Sequence, residues 1–280
     1  MDGITWSAMN GEVYRVLAWG CGAPSTTVGV MSVMGLIKPF DVIIHSDTNF
    51  ERYHTREIRD WYTDWFRKHG VRVEIVSGGD IRESGAADHI HIPFWSSTGG
   101  PLRRQCTRHF KVDPSRRRIR ELLGFHKSKA PHPPPGSVEQ SYGFTLEEFT
   151  RMKPSRVKFI VNRFPLLEHK MTRQDCIDYL QSYDLPVPSK SACICCPYRP
   201  ASEWLQMRSE SPDEWKEAVQ FDDANRHNPL AGDGSTSDQI FIYKHGGALS
   251  IANLEDDARR EKVNDAVQIP LLCGDGPCWT

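Results

Sequence analysis

Residues 14 to 79 alternate short apolar runs with longer amphipathic ones, and few architectures accept that alternation. "YRVLAW" (14–19) runs into a glycine turn, and "STTVGVMSVMGL" (25–36) follows with helical length and a Ser/Thr start. "DVIIHSD" (41–47) reads as a strand, "HTREIRDWYTDWFRKHG" (54–70) as an amphipathic helix closed by glycine, and "VRVEIVSGG" (71–79) as the next strand. This βαβαβ run predicts an α/β protein, a parallel sheet with helices on both faces. Ligands of such sheets gather at the carboxyl ends of the strands, where the loops "GCGAPST", "HSDTNFER" and "SGGDIRES" emerge.

Farther on, "KSKAPHPPPGS" (127–137) reads as a proline-rich loop, "SVEQSYGF" (137–144) as another strand and "LEEFTRM" as the start of a helix. Two further helices are expected at "TRQDCIDYLQSY" (172–183) and "PDEWKEAVQFDDANR" (212–226). The expected division is a nucleotide-binding α/β domain over 1–188 and a smaller, mostly helical cysteine-bearing region over 189–280 packed on it. A chain of 280 residues, 39% hydrophobic and 25% charged, suits that size. The formal net charge of -1 excludes a global polyelectrolyte field, so anion binding must be local. No apolar run is long enough for a membrane span, and the start of the chain lacks signal-peptide features, so a cytoplasmic protein is expected. In that compartment the eight cysteines suit metal ligation or thiol chemistry better than disulfides.

Three stretches carry candidate chemistry. In "AWGCGAPSTT" (18–27), Gly20 and Gly22 permit close backbone approach, while Ser25, Thr26 and Thr27 bring hydroxyls and amides to a helix start that favours an anion. The spacing is neither a Walker loop nor G-x-G-x-x-G, and a plain tight connection is the structural alternative. In "GGPLRRQCTRHFKVDPSRRRIRELLG" (99–124), arginine forks suit phosphate; Arg103, Arg104 and Lys111 flank Cys106, whereas Arg117 and Arg118 read as a solvated helix face. In "SKSACICCPYRPASEW" (189–204), Cys193 and Cys196 have the C-x-x-C spacing that aims two thiolates at one ion. Candidates for the other ligands are Cys106, Cys273 and Cys278. Soft sulfur ligands select an iron-sulfur cluster or zinc, and a thiol-disulfide pair is the rival reading.

Taken in order, "GCGAPST", "SDTNFE", "RRQCTRHFKVDPSRRRIRELLG", "YGFTLEEFTRMKPS", "FPLLEHKMTRQDCIDYL" and "KSACICCPYRPASEW" resemble the phosphoadenosine phosphosulfate reductase-like branch of the PP-loop (N-type ATP pyrophosphatase, adenine nucleotide alpha hydrolase-like) superfamily, phage and bacterial members above all. The resemblance spans about residues 14 to 205 and the terminal cysteine pair. It implies a Rossmann-like sheet whose loop 20–26 holds nucleotide phosphates, with Ser25 and Thr26 at its hydroxyl positions and Asp47 and Thr48 in the acidic loop after the second strand. It further implies that Arg103, Cys106 and Lys111 match an Arg-x-x-Cys-x-x-x-x-Lys segment, and Gly143, Glu147, Glu148 and Arg151 a Gly-x-x-x-Asp-Glu-x-x-Arg segment. Catalytic roles then fall to Asp47, Arg103, Lys111 and Glu148, nucleotide contacts to Gly20, Gly22, Ser25, Thr26, Asp47, Thr48, Gly143 and Arg151, and metal ligation to Cys106, Cys193, Cys196 and Cys273.

The loop departs from the family's Ser-Gly-Gly-x-Asp-Ser by lacking the aspartate, and Cys195 stands where an aromatic is usual. The activity implied is adenylation of a substrate by ATP with Mg²⁺, releasing pyrophosphate, for sulfur transfer to a nucleobase or nucleic acid, with a cysteine-bound 4Fe-4S cluster (Zn²⁺ the alternative). A sulfonucleotide reductase is the rival enzyme, and a nucleotide- or nucleic-acid-binding subunit with structural zinc is the reading outside catalysis. Expected partners are the nucleotide, a nucleic-acid or nucleobase acceptor, a sulfur donor protein or sulfide, and a second copy in a homodimer.

Overall fold

The structure, a computed structural model, describes residues 12–83, 90–97, 100–126, 131–228, 239–243, 254–255 and 257–258. β1 (Tyr14–Ala18) leads into α1 (Ala23–Val33), β2 (Val42–Asp47) into α2 (Tyr53–Lys68), and β3 (Val73–Ser77) into an excursion holding β4 (Trp95–Ser96), a π-helical turn (Thr107–Val112) and α3 (Asp113–Leu122). Next come β5 (Val138–Ser141), a 3-10 segment (Leu146–Arg151), β6 (Ile160–Arg163), α4 (Pro165–Glu168) and α5 (Arg173–Ser182). The chain then forms α6 (Ala201–Glu210), α7 (Pro212–Asn225) and β7 (Ile240–Phe241).

Five strands pair in parallel in the order β3-β2-β1-β5-β6, with Val16 opposite Val42 and Tyr14 opposite Val138. Strands buried on both faces need apolar side chains at successive positions, which the β1 sequence Tyr-Arg-Val-Leu-Ala largely supplies. Alternate residues then serve opposite faces. Leu17, Ile43 and Val73 pack with Val30 and Met31 of α1, Tyr62 and Phe66 of α2, and Leu180 of α5. Val16, Val42 and Val138 pack with Ile119 and Leu122 of α3 on the other side. Helices on both faces are therefore observed, and the order of connection reverses at β1, between β2 and β5.

The stretch "LEEFTRM" forms a 3-10 segment rather than an α-helix, because Met152 turns extended just ahead of Lys153 and Pro154, a pair that disfavours helical backbone. β6 and α6 had no expectation attached to them. β4 and β7 form a separate antiparallel pair, Trp95 opposite Phe241. A further core joins Phe50, Ile81, Phe94 and Phe110 to Ile194, Trp204 and Met207 of the cysteine segment and α6, and to Phe221 of α7.

Candidate active site at the carboxyl ends of the strands

The turn from β1 to α1 lies at the reversal point of the sheet, where open α/β sheets form their ligand crevice. Cys21 holds it in the left-handed region, at φ 57, unusual for a residue with a side chain. Ser25 locks the turn: its Oγ accepts from the Gly20 N–H and donates to the Gly22 carbonyl, both at 3.2 Å. Gly143 lies against this turn so closely that a Cβ there would come within 2.4 Å of Ser25 N. Gly22 is different, for a side chain added to it would first meet Ser191 Oγ, at 3.7 Å. The phosphate-type loop therefore faces the segment that carries the cysteines.

Beneath the turn runs a buried polar chain that the sequence did not disclose. His45 Nδ1 sits 3.0 Å from the Trp19 carbonyl and 3.1 Å from Cys21 Sγ, and Nε2 sits 3.1 Å from Glu51 Oε2. Cys21, His45 and Glu51 are all buried. Since carbonyl and carboxylate can only accept, this geometry suits a ring protonated on both nitrogens. Burial alone would lower the His45 pKa, yet the neighbouring Cys21 sulfur and Glu51 carboxylate raise it well above 6.5. Burial likewise opposes ionisation of Glu51, but His45 and then Lys111 hold its pKa below the ordinary value. Lys111 Nζ reaches Glu51 Oε1 at 4.0 Å, from the π-helical turn whose Lys111 carbonyl accepts from Ser46 Oγ at 2.8 Å. π-turns often mark functional positions, and here the turn brings a lysine to the strand ends.

The cysteine segment is fastened to the loop after β2. Ile194 N donates to the Phe50 carbonyl at 2.8 Å and Arg52 N to the Ala192 carbonyl at 3.2 Å, while Cys196 N donates to the Cys193 carbonyl at 3.2 Å. That turn sets Cys193 Sγ 3.2 Å from Thr48 Oγ1. Cys106, Cys193, Cys195 and Cys196 are electrostatic neighbours, Cys195 sensing the other three. Burial pushes the Cys193 thiol up to about 12 and raises Cys106 and Cys195 too, while Lys111 pulls down on Cys193 and, after Arg104, on Cys106. Arg199, 4% exposed, donates to the Cys193 carbonyl at 3.0 Å, and its pKa is lowered chiefly by burial. Lys111, Arg104 and Arg199 thus stand near the sulfurs, but burial outweighs them and favours the neutral thiols.

Several of the expected site residues have partners within the protein. Thr26 is fully buried and its hydroxyl accepts from the Trp19 indole N–H at 3.0 Å, so it braces the loop from inside. Thr48 Oγ1 meets Cys193 Sγ, and Asp47 is engaged by Arg59 Nη1 at 2.5 Å and the Asn49 N–H at 2.7 Å. Arg103 is exposed; its neighbour Arg104 lies over the Tyr198 ring at 5.1 Å and bonds Cys106. Glu148 pairs with Arg151, whose guanidinium lies 4.4 Å from the Phe144 ring centre. Cys195 belongs to the apolar core. Cys273 and Cys278 lie outside the described residues. Among the described residues no three His, Cys, Asp or Glu side chains stand as a formed metal site. What the structure does bring together is the Gly20–Ser25 turn with Ser191 of the cysteine segment, and Lys111 with Cys193 and Cys106.

The chain is a doubly wound parallel α/β protein. No family model matches it, and no curated protein does. Solved structures similar to it include the phosphoadenylyl-sulfate (PAPS) reductase of Candida auris in a phosphate complex, 13% identical over 63% of this chain and 75% of that one, TM-score 0.38. Another is the U34-tRNA thiolase NcsA of Methanococcus maripaludis with its [4Fe-4S] cluster, 12% identical over 76% and 71%, TM-score 0.40. Such distant likenesses leave the chemistry to be read from this chain's own residues. Among the described residues no helix is long and apolar enough to cross a membrane.

Proposed function

We propose that the protein is a nucleotide-activating enzyme that adenylates an acceptor oxygen with ATP, releases pyrophosphate, and prepares that position for sulfur transfer on a nucleobase or nucleic acid. The observation that supports this reading is the packing of Gly22 beside Ser191, two residues ahead of Cys193, which brings the glycine turn alongside the cysteine segment. A nucleotide held by the first presents its α-phosphorus toward the second. Ala23 and Ser25 lie in the first turn of α1, whose amides have no intrahelical acceptor and whose dipole favours an anion. Lys111, 4.0 Å from Glu51, supplies a cation where negative charge grows on the bridging oxygen. With no formed carboxylate cage among the described residues, Mg²⁺ would ride on the phosphates themselves.

Cys106, Cys193 and Cys196 suit a sulfur-ligated centre in donor type and in their surrounding cations, Lys111, Arg104 and Arg199. Bound there, a 4Fe-4S cluster would supply a site for sulfide, and zinc only a structural tie. The residues' own part is to hold those thiolates, and Arg199 fixes the turn through the Cys193 carbonyl. For a sulfonucleotide reductase, an unliganded Cys193 would need to ionise, and burial at about 12 opposes that.

The test is pyrophosphate release from ATP by anaerobically purified protein, with and without RNA. Lys111→Ala should lower turnover by about 10²-fold with nucleotide affinity changed much less, the signature of charge stabilisation in the transition state. Absence of ATP binding to the wild type would overturn the reading.

A further inference from the structure

A groove of 1240 Å³ lies apart from the buried chain of Cys21, His45 and Glu51, between α3, the proline-rich segment 133–135 and the lead-in to β6. Its walls carry Arg108, Arg116, Arg117, Arg120 and Lys158 against a single acid, Asp113, which Arg108 meets at 3.5 Å. Arg116 is half-buried and Arg117 exposed, and among the described residues neither has a carboxylate within ion-pair distance. Arg118, in the same run, turns away to Glu74 and Glu121 at 3.2 and 3.1 Å. The run is thus divided: one arginine is tied into the fold, and its neighbours leave positive charge on one wall.

The groove starts on the stretch of chain that also carries Cys106 and Lys111, at Arg108, two residues past Cys106 on the π-helical turn. Arg116 is electrostatically coupled to Tyr142, which adjoins Gly143 and so the loop at Ser25. From there the groove follows α3, whose ten residues span about 15 Å, to Phe125 and His126 at the far end. A cavity of this size exceeds one phosphate, and its cations are strung out instead of converging on a point.

We infer that this groove binds the sugar-phosphate backbone of a single-stranded polynucleotide, leading one nucleotide into the crevice. The inference deepens the proposed function by choosing a polynucleotide over a free nucleobase as acceptor. Arginine forks take phosphates in turn along α3, and the rings of Phe125 and His126 offer planes for stacking at the far end. A duplex is less suited, since the guanidinium groups lie inside a groove and not on a broad convex face.

The test uses the full chain and a fluorescently labelled single-stranded RNA of about 12 nucleotides, titrated by anisotropy from roughly 50 to 200 mM salt. The charge reversals Arg117→Glu and Lys158→Glu, both at exposed positions, should together weaken binding at least about 10-fold and flatten the log–log salt slope by about 1.4, two contacts at ~0.7 each. An equal charge change at exposed Lys68 and Lys216, on α2 and α7, should leave affinity within about 2-fold after the general field is screened. Equal losses from both pairs, no loss from the first, or full displacement of the RNA by inorganic phosphate at matched ionic strength would overturn the assignment. ATP affinity, measured by calorimetry on the same proteins, is a separate readout. Loss of ATP binding by the wild type with RNA binding intact would refute the activation reading alone, and the reverse would refute the groove alone.

Discussion

Gly22 and Gly143 were both expected to touch the nucleotide, and their surroundings separate them. Gly22 has extended backbone, φ -96 and ψ 161, which a β-branched residue adopts readily, and a Cβ there would make ordinary contact with Ser191 Oγ at 3.7 Å. Gly22→Val should keep the melting temperature within about 3 °C while cutting ATP affinity at least tenfold, since the added methyls enter the crevice. Gly143→Ala meets backbone at 2.4 Å and should destabilise by about 1–3 kcal/mol, read by urea unfolding. If Gly22→Val binds ATP normally, the loop is only a turn. Spacing alone could not tell these glycines apart, nor show that Arg104 bonds Cys106 or that Thr26 accepts from Trp19 Nε1: the pattern gives the turn, but the side that each side chain faces is set by tertiary contacts.

The buried imidazolium also has a pH signature. A histidine whose folded pKa lies above 6.5 binds more protons folded than unfolded, so its stabilisation is complete below pH 6.5 and fades as pH rises through the folded value. Glu51, lowered from 4.5, acts oppositely, contributing above that value and losing its contribution as pH falls through its folded pKa. Unfolding free energy should therefore decline from pH 6.5 toward about 8.5, where thiols add their own slope, and His45→Gln should remove that decline. An unchanged slope in the variant would mean that the ring is neutral in the folded protein. No spacing rule pointed to Cys21, His45 and Glu51, because they come from a turn, a strand and a loop that meet only in the fold.

Among the elements, the alternating run was legible because period and length agree. β1, α1, β2, α2 and β3 all lie where hydrophobic periodicity and the Ser/Thr and glycine boundaries put them. α5 also begins as its sequence suggests, with Thr172 and Asp175 capping one another. β6 and the 3-10 segment were less legible, since Ile160–Arg163 is too short to show a period and Lys153-Pro154 acts on residues before it. The turn at Cys193–Cys196 was read from C-x-x-C spacing, and the elements it meets give a sharper test. Cys193→Ser with Cys196→Ser should abolish iron and sulfide in anaerobically purified protein while melting changes little. Cys195→Ser, which puts a hydroxyl into the core around Trp204, should retain metal but lose about 1–3 kcal/mol. Metal retained in the double variant would leave the pair as packing or redox cysteines.

For the whole molecule, one core decides how far the chain can be divided. Phe50, Phe94 and Phe110 lie under Trp204, Met207 and Phe221, and buried Glu214 of α7 accepts from Arg52 Nε at 2.5 Å. A fragment ending at residue 188 would leave those rings in water and Arg52 without its carboxylate. It should therefore be recovered as aggregate, or unfold without a cooperative transition, by contrast with the full chain; a soluble fragment with a sharp melt would show that the strand layer stands alone. The same interlocking has a consequence during biosynthesis. The five parallel strands are complete once residue 163 has left the ribosome, but the roof over Phe50 and Phe94 is not made until α7 emerges. For that interval Cys106, and then Cys193, Cys195 and Cys196, stand open to the surrounding medium, and closure of the last helices seals Cys195 while leaving the other three partly exposed.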